Sequence, residues 1–356
     1  MLTAAILTGG RPAYDAAMAD PIEVLVTMPF TDAQLDRLRA VSPRLTVRRA
    51  DAATADYGAT QVLYAGAPPR ALDKAPRLAW VQVHMAGVNG LYDHPLYTRS
   101  AVPIATTSGV HAATIAEYAI TALLALAHRV PRMVEWQGKG SWPPDLDRWP
   151  LFVPSEVRGA TLGIIGYGSI GRELARIAKT AFAMRVLALK RDPAVRHDTG
   201  YALPGTGDPD GALPDAWLGP AELSTLLAQS DVVVLAAPLT PATKGLIGAR
   251  ELGAMKTSAY FINVGRGASV DEVALARALA EGRIAGAAVD VFTEEPPPAG
   301  HPLYAVGGQA NVLLSPHVSG FLPSYDDKCT DLFAENLRRW LSGAPILNLV
   351  DRTLGY

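Results

Sequence analysis

Four polar residues in the C-terminal half of the chain could together reduce a carbonyl group. Arg266, Asp290 and His317 each follow or end a predicted strand, and Glu295 comes shortly after Asp290. Because ligands bind outside the carboxyl ends of strands in open α/β sheets, we expect these side chains to meet at one rim. Histidine can donate a proton near neutral pH, a carboxylate can orient its ring, and arginine can hold a carboxylate through two hydrogen bonds. Taken one at a time, each of the four is more often a surface or packing residue.

A glycine-rich turn upstream of these residues has the order that a dinucleotide requires. An apolar run that reads as a buried strand ends at Gly166, and a helix is predicted over 172–181. Gly166 allows a tight turn, Gly168 leaves room for a pyrophosphate, and Gly171 lets the helix pack on the strand. The helix N-terminus then faces the phosphates. The pattern alone is weak in a chain with 32 glycines, but its flanking strand and helix favour dinucleotide binding.

Composition narrows the class of protein. The 356 residues suffice for two domains, and the formal net charge of −2 gives no reason to expect nucleic acid or a membrane as a partner. No apolar run reaches the ~18–20 residues of a membrane span. Met1–Gly10 lacks the basic start of a signal peptide, so residues 1–20 are expected to form a short extension. The single cysteine, Cys329, cannot form an internal disulfide, which favours a reducing, cytoplasmic location. No metal site is predicted.

Strands and helical patterns alternate in two groups along the chain. The first group has a helix after Thr31 and four strand-like segments, at 22–27, 45–48, 61–64 and 78–84. The apolar segment Ala112–Arg129 reads as a helix buried between two domains. The second group fits a doubly wound sheet, with the strand before Gly166 and five more at 185–189, 231–236, 260–264, 285–291 and 312–315. A helix over 326–341 is predicted to return to the first domain, leaving a cleft between the two.

Two stretches have more than one interpretation. Residues 192–220 form a Pro/Gly/Asp-rich connection that is longer than ordinary loops, and it is either functional or mobile. Trp136, Trp142 and Trp149 lie in a Pro/Gly-rich segment that could cover a pocket or an oligomer interface. Ordinary packing of a loop explains these tryptophans at least as well.

The ordered motifs resemble the D-isomer-specific 2-hydroxyacid dehydrogenase family, which includes glyoxylate/hydroxypyruvate reductases and phosphoglycerate dehydrogenases. The resemblance runs from about Leu78 onwards and rests on GIIGYGSIG at 163–171, PLTPATKGLI at 238–247, INVGRG at 262–267, VDE at 270–272, AVDVFTEEP at 288–296 and SPH at 315–317. It implies an α/β fold of two Rossmann-like doubly wound domains. The nucleotide-binding domain, residues 109–319, would be inserted in a flavodoxin-like substrate domain, residues 1–108 and 320–356. The family is usually dimeric, which implies a homodimer.

The resemblance also implies roles for individual residues. Arg266 would hold the substrate carboxylate, His317 would be the catalytic histidine, and Glu295 would pair with it. Asp290 would contact the nicotinamide amide. A loop in the first half would offer backbone amides to the substrate, through Ala86, Gly87 and Val88. The other matching positions would bind the cofactor, and they are Gly166, Gly168, Ser169, Ile170, Ala237, Pro238, Thr243, Val264, Gly265 and Gly320.

The residues after strand 185–189 predict which dinucleotide binds. Many members of the family carry an acid there that accepts hydrogen bonds from the adenosine ribose, whereas this chain has Lys190 and Arg191. Two cations suit a 2′-phosphate instead. We therefore expect a preference for NADP(H), with NAD(H) possible. The alternative is that both side chains point to solvent and Asp192 binds the ribose.

More than one class of function is compatible with these observations. The first is an oxidoreductase that transfers hydride between NAD(P)H and a small 2-oxo acid or D-2-hydroxy acid, such as glyoxylate or hydroxypyruvate. The second is a non-catalytic NAD(P)-sensing protein of the corepressor type. The presence of Arg266, Glu295 and His317 favours the enzyme. Formate oxidation is disfavoured because formate dehydrogenases carry glutamine in place of Glu295, and phosphite oxidation is a third possibility.

Overall fold

The computed structural model describes residues 20–306 and 311–356, which divide into two compact units. Unit 1 contains the described residues up to His84, together with Asp93–Ala105 and Thr330–Ile346. Unit 2 contains Met85–Tyr92, Thr106–Cys329 and Leu347–Tyr356. The extension expected over residues 1–20 lies, except for Asp20, outside the described residues.

Unit 1 is built on a parallel sheet of five strands, β1 (Ile22–Val26), β2 (Leu45–Arg49), β3 (Val62–Ala65), β4 (Trp80–Val83) and β5 (Ile104–Ala105). Their order in the sheet, β2-β1-β3-β4-β5, is that of flavodoxin-like folds. Helix α1 (Asp32–Arg39) begins after Thr31, as predicted. The Thr31 hydroxyl accepts a hydrogen bond from the Gln34 amide, and the Gln34 side chain accepts one from the Thr31 amide. The unit also contains α2 (Pro95–Thr98).

Unit 2 is built on a parallel sheet of seven strands, β6 (Thr161–Ile165), β7 (Arg185–Leu189), β8 (Ala216–Leu218), β9 (Val232–Leu235), β10 (Tyr260–Asn263), β11 (Gly286–Val289) and β12 (Val312–Leu314). The order β12-β11-β10-β9-β6-β7-β8 contains the Rossmann arrangement, in which the strand order reverses at β6. Two parallel α/β sheets of these orders confirm the predicted fold class.

Helices precede and connect the strands of unit 2, and most of them contribute side chains to a buried core on both faces of the sheet. They are α3 (Ala112–Ala127), α4 (Val130–Gly138), α5 (Asp145–Phe152), α6 (Ser169–Phe182), α7 (Leu223–Gln229), α8 (Ala249–Gly253), α9 (Glu272–Ala280) and α10 (Pro302–Val306). The last helix, α11 (Tyr325–Ser342), starts in unit 2 and continues in unit 1. Among residues 20–306 and 311–356, none of the helices combines the length and apolar character needed to cross a membrane.

The sequence did not predict β5, α2, α8 and α10, which are all short, nor β8, α4 and α5. Strand β8 lies inside the connection 192–220 and extends the sheet beside β7. It has three residues and one buried position, too few to give a periodic pattern. The segment that contains Trp136, Trp142 and Trp149 forms α4 and α5 rather than loop alone. The sequence did not predict these helices because each contains a proline. Pro131 lies in the first turn of α4, where its missing amide hydrogen costs nothing, and Pro150 lies inside α5.

The unit boundaries also differ from the predicted domains. Residues 106–108 and 320–329 of the predicted substrate domain group with unit 2, and so do Met85–Tyr92 and Leu347–Tyr356. Hydrogen bonds account for the placement of the last two segments. The side-chain amide of Asn89 donates to the Leu239 carbonyl at 2.7 Å, and the backbone amide of Tyr201 donates to the side-chain oxygen of Asn348 at 2.9 Å. The segment Met85–Tyr92 carries Gly87, so that loop is held among the residues of unit 2.

Candidate active site

The glycine-rich turn joins β6 to α6 with little room for any other residue type. Gly166 has φ of +98°, and a Cβ there would lie 2.6 Å from the Ala237 backbone. A Cβ on Gly171 would lie 2.7 Å from the Gly166 carbonyl oxygen. Gly168 differs, because a Cβ there would meet nothing within 4 Å. The turn is therefore tightly packed at Gly166 and Gly171, whereas space is open at Gly168.

The start of α6 has the chemistry that a dinucleotide pyrophosphate requires. Gly168 is the N-cap residue, and no side chain caps the helix. The first turn contains no acidic residue, and Ser169 and Ile170 are only partly buried. Amide hydrogens at a helix N-terminus without side-chain partners attract anions. The open space at Gly168 and the uncapped helix therefore fit a dinucleotide.

The segment that carries His317 is fixed by a buried carboxylate. Asp290, at the end of β11, is fully buried, and it accepts hydrogen bonds from the Ser315 hydroxyl at 2.6 Å and from the amides of Val318 and Ser319 at 3.0 and 3.1 Å. Its carbonyl accepts from the His317 amide at 2.8 Å. These contacts hold His317 at φ of +54°, a conformation that non-glycine residues rarely adopt. Asp290 thus organises the histidine segment, and its contact with the nicotinamide amide, which the family resemblance implies, stays a prediction.

His317 and Glu295 lie side by side at the edge of this segment. His317 Nδ1 is 2.7 Å from one carboxylate oxygen of Glu295, and the other oxygen accepts a hydrogen bond from the Phe292 amide at 2.9 Å. The carboxylate therefore fixes the ring and leaves Nε2 for another partner. Both side chains are solvent-accessible, with 50% of His317 and 39% of Glu295 exposed. The structure thus brings together the acid and the histidine that the sequence singled out.

Arg266, just beyond β10, faces the loop that contains Ala86, Gly87 and Val88. A Cβ on Gly87 would lie 2.8 Å from Arg266 Nη2, so only glycine lets the loop approach the guanidinium this closely. Arg266 Nη1 donates to the Gly265 carbonyl at 2.7 Å. Burial lowers the pKa of Arg266, and the charges of Glu295 and Tyr92 oppose that shift. The guanidinium of Arg266, with its paired N–H donors, and the backbone of the Gly87 loop thus lie side by side, an arrangement that suits a carboxylate.

His111 also belongs to the site, and the sequence analysis missed it. It precedes α3, and burial lowers its pKa to about 4, with further contributions from the nearby charges of Arg266 and His317. Its ring stacks on Tyr325 at 5.7 Å, and its nitrogens make no hydrogen bond to the described residues. The available signal was a histidine directly before an apolar helix. A neutral imidazole therefore lies close to Arg266 and His317.

The other candidate residues line the same rim with their backbones. A Cβ on Gly265 would lie 2.9 Å from the Ala237 carbonyl oxygen, and one on Gly320 would lie 3.6 Å from the His111 ring. Val264 is buried, and so is Val88, which leaves mainly its backbone to offer a ligand. The Thr243 hydroxyl donates to the Pro238 carbonyl at 2.7 Å and so shapes the turn after β9.

The two cations predicted to select the dinucleotide lie at the end of β7 in different surroundings. Lys190 Nζ donates to the Val195 carbonyl at 2.6 Å, and burial together with the charge of Arg172 lowers its pKa. Arg191 is exposed, and its guanidinium lies 5.4 Å from the centre of the Tyr356 ring. Asp192, the alternative ribose ligand, accepts a hydrogen bond from the Ala194 amide at 3.0 Å.

The long connection after β7 is anchored to the glycine-rich turn. Asp208 is buried and accepts hydrogen bonds from the Tyr167 hydroxyl at 2.8 Å and from the amides of Ala212 and Leu213 at 2.9 and 3.1 Å. Arg172 is 2% exposed, and it donates to the carbonyls of Asp208 and Arg196. Of the two interpretations left open for this connection, the contacts favour a structured element next to the cofactor site.

Comparison with known proteins places this chain in a family. Residues 120–319 match the family model for the NAD binding domain of D-isomer specific 2-hydroxyacid dehydrogenases. A glyoxylate reductase of Aeropyrum pernix is 35% identical over 285 residues, which are 79% of this chain and 78% of that protein. A glyoxylate reductase of Thermococcus gammatolerans is 37% identical over 287 residues, again 79% and 78% of the two chains.

A solved structure agrees with these relatives. The D-isomer specific 2-hydroxyacid dehydrogenase from Xanthobacter autotrophicus Py2, in complex with NADPH and MES, superimposes with a TM-score of 0.76 at 30% identity, covering 95% of this chain and 100% of that one. The matched family model spans more than half of the present sequence, and it includes the glycine-rich turn, Arg266, Glu295 and His317. The chain is therefore a nicotinamide-dependent oxidoreductase and belongs to the D-isomer specific 2-hydroxyacid dehydrogenase family.

Proposed function

We propose that this protein reduces a small 2-oxo acid, of the glyoxylate or hydroxypyruvate type, to the 2-hydroxy acid with NADPH in preference to NADH. The observation that carries the proposal is the pair Arg266 and His317, of which Arg266 lies against the Gly87 loop and His317 is oriented by the Glu295 carboxylate at 2.7 Å. A carboxylate and an adjacent carbonyl are the two groups that such a pair recognises. The names of the relatives, glyoxylate reductase and hydroxypyruvate reductase, support the substrate class.

The cofactor would lie along the carboxyl ends of the unit 2 strands. The turn Gly166–Gly168 and the start of α6 would hold its pyrophosphate, and Ala237, Pro238, Val264 and Gly265 would line its path. Bound NAD(P)H supplies the hydride for the carbonyl carbon. The NADPH complex of the similar Xanthobacter enzyme, together with Lys190 and Arg191 at the end of β7, supports NADP(H) as the preferred form.

The catalytic roles follow from the hydrogen bonds of the site. Arg266 and the backbone of the Gly87 loop would hold the substrate carboxylate, which fixes the carbonyl next to it. His317 would donate a proton from Nε2 to the carbonyl oxygen, because Glu295 occupies Nδ1 and orients the ring. His111 would contribute a neutral hydrogen-bonding group, which can donate or accept without adding charge.

The assembly and location are part of the same proposal. Helices α4 and α5 expose apolar side chains that a homodimer would cover, namely Val130, Met133, Val134, Leu146 and Trp149, with Trp142 between the helices. Contiguous exposed apolar surface commonly marks an interface. Light scattering should give the mass of a dimer, and Leu146→Glu with Trp149→Glu should give that of a monomer. Cys329, buried and with no second cysteine in the chain, supports a reducing, cytoplasmic location.

A screen of NADPH and NADH oxidation against small 2-oxo acids tests the proposed function. We expect turnover with glyoxylate or hydroxypyruvate and a higher kcat/KM with NADPH than with NADH. Tight binding of NADPH without turnover of any 2-oxo acid would instead identify a non-catalytic sensor. An equal or better kcat/KM with NADH would contradict the assignment of Lys190 and Arg191.

A further inference from the structure

The last six residues of the chain form a compact turn. The Asp351 carboxylate accepts hydrogen bonds from the amides of Thr353 and Leu354 at 2.8 and 3.2 Å, and the Asp351 amide donates to the Tyr356 carbonyl at 3.0 Å. These bonds close the segment 351–356 on itself. The turn is thus a defined piece of structure and can hold a side chain in place.

This C-terminal turn is attached at two points. The Tyr92 hydroxyl lies 2.9 Å from the Gly355 carbonyl oxygen and 3.1 Å from that of Leu239, which follows β9. At the other end, the Tyr356 ring lies under the guanidinium of Arg191, which follows β7. In the sheet, β6 lies directly between β9 and β7. The C-terminal turn therefore links the two strand ends that flank the glycine-rich turn.

The contact with Tyr356 affects what Arg191 can bind. A cation–π contact uses the face of a guanidinium and leaves the N–H groups at its edge available. Those N–H groups can form paired hydrogen bonds to a phosphate. Lys190 is more restricted, because it is partly buried and one N–H of its ammonium group already donates to the Val195 carbonyl. Of the two cations, Arg191 is thus the one presented for a new anionic partner.

We propose that Tyr356 is a positioning residue for cofactor selectivity, holding Arg191 in the orientation that binds the 2′-phosphate of NADP(H). The inference rests on the proposed function, since it concerns the same dinucleotide. Tyr356 stacks on Arg191 and restricts its rotamers before the cofactor arrives, so less side-chain entropy is lost on binding. NADH lacks the 2′-phosphate, and its affinity does not depend on the stacked arginine.

The test is the dissociation constant of NADPH and of NADH, measured by tryptophan fluorescence on the intact protein without substrate. Arg191→Ala should raise the Kd of NADPH about 10-fold or more, the range for hydrogen bonds to charged groups. Tyr356→Ala should raise it about two- to fivefold, the range for an exposed cation–π contact. Tyr356→Phe should keep the wild-type value. The Kd of NADH should change less than twofold in all three variants. Arg250→Ala, which removes an arginine that is 92% exposed, controls for the loss of one positive charge.

A variant that combines Arg191→Ala with Tyr356→Ala tests whether the two residues act together. If Tyr356 acts through Arg191, Tyr356→Ala should add nothing to the effect of Arg191→Ala. Additive effects, or equal weakening of NADPH and NADH by Tyr356→Ala, would overturn the inference. Its failure is distinguishable from failure of the proposed function, because in the latter case the wild-type protein binds neither dinucleotide or reduces no 2-oxo acid.

Discussion

Two buried aspartates organise opposite parts of unit 2 with the same set of contacts. Asp290 accepts hydrogen bonds from one hydroxyl and two backbone amides and fixes the segment that carries His317. Asp208 also accepts from one hydroxyl and two amides, and it fixes the connection that follows Lys190. The first serves the proposed site of proton transfer, and the second serves the proposed adenosine side of the cofactor. The same set of hydrogen bonds therefore supports two different tasks. A substitution at one aspartate should impair its own task and leave the other unchanged.

The two regions differ in the origin of the segments that form them. Asp290 ends β11, and its partners follow β12, the neighbouring strand. Asp208 lies within the long connection after β7, and the two cations at the end of β7 are held by Val195 and by Tyr356, which lies far away in sequence. The catalytic region is thus determined by adjacent strand ends, whereas the adenosine region is assembled from segments outside the regular strands.

The largest effect should come from His317→Ala in the catalytic region. Loss of a positioned general acid lowers kcat about 10²- to 10⁴-fold. The Kd of NADPH should stay within twofold, since the hydrogen bonds of His317 go to Asp290 and Glu295 and not to the turn proposed to bind the pyrophosphate. Steady-state kinetics and fluorescence titration measure the two quantities. His128→Ala, at an exposed histidine after α3, should leave both unchanged. Near-normal turnover in His317→Ala would exclude His317 as the proton donor.

The next largest effect is expected for Arg266→Lys. Lysine keeps the positive charge but lacks the planar pair of N–H donors, so it cannot bind the substrate carboxylate through two parallel hydrogen bonds. We expect kcat/KM for the 2-oxo acid to fall about 100-fold, the cost of disrupting a desolvated charge contact. NADPH affinity should be preserved. If Arg266→Lys weakened NADPH and left the KM of the 2-oxo acid unchanged, the arginine would belong with the cofactor contacts instead.

His111 predicts how the stability of the catalytic region depends on pH. Its pKa is about 4 in the folded protein and about 6.5 when unfolded, so between these values only the unfolded chain binds the proton. The free energy of unfolding should therefore fall as pH drops through this window, by about 2–3 kcal/mol at pH 4. Urea denaturation at pH 7 and pH 4 measures it. His111→Gln should lose that part of the pH dependence, and an unchanged dependence would contradict a neutral, buried His111.

A small effect is expected for Lys190→Ala on the adenosine side. Because the ammonium group is already bonded to the Val195 carbonyl, its loss should raise the Kd of NADPH less than about threefold. The same fluorescence titration used for Arg191→Ala gives the comparison. Equal losses in the two variants would mean that both cations bind the phosphate directly, as the sequence alone suggested.

The sequence could predict the parts that depend on strand order. Arg266, Asp290 and His317 follow strands with clear apolar patterns, and parallel strands bring their ends to one rim. The steric need for glycine at Gly166 and Gly171 follows from the same local geometry. These positions required no knowledge of distant contacts.

The parts that the sequence could not supply depend on packing between distant segments. His111 approaches Arg266 only because α3 packs on the sheet in one particular register. Strand β8 is too short for a periodic signal, and the contact between Tyr356 and Arg191 joins residues that are far apart in the sequence. The proposed general acid was thus predictable, whereas the residues that tune its surroundings were not.

The matched pair Asp290→Asn and Asp208→Asn tests the separation of the two regions most directly. Both substitutions keep the size of the side chain and replace one of its two acceptor oxygens with an NH2 group, so one of the two backbone amides loses its acceptor. With kcat and the Kd of NADPH measured side by side, Asp290→Asn should lower kcat about 10-fold or more and leave the Kd within threefold, because His317 moves. Asp208→Asn should raise the Kd about threefold or more and leave kcat at saturating NADPH nearly unchanged. If both variants altered the same constant to the same extent, the division into a catalytic and a cofactor-recognition region would be wrong.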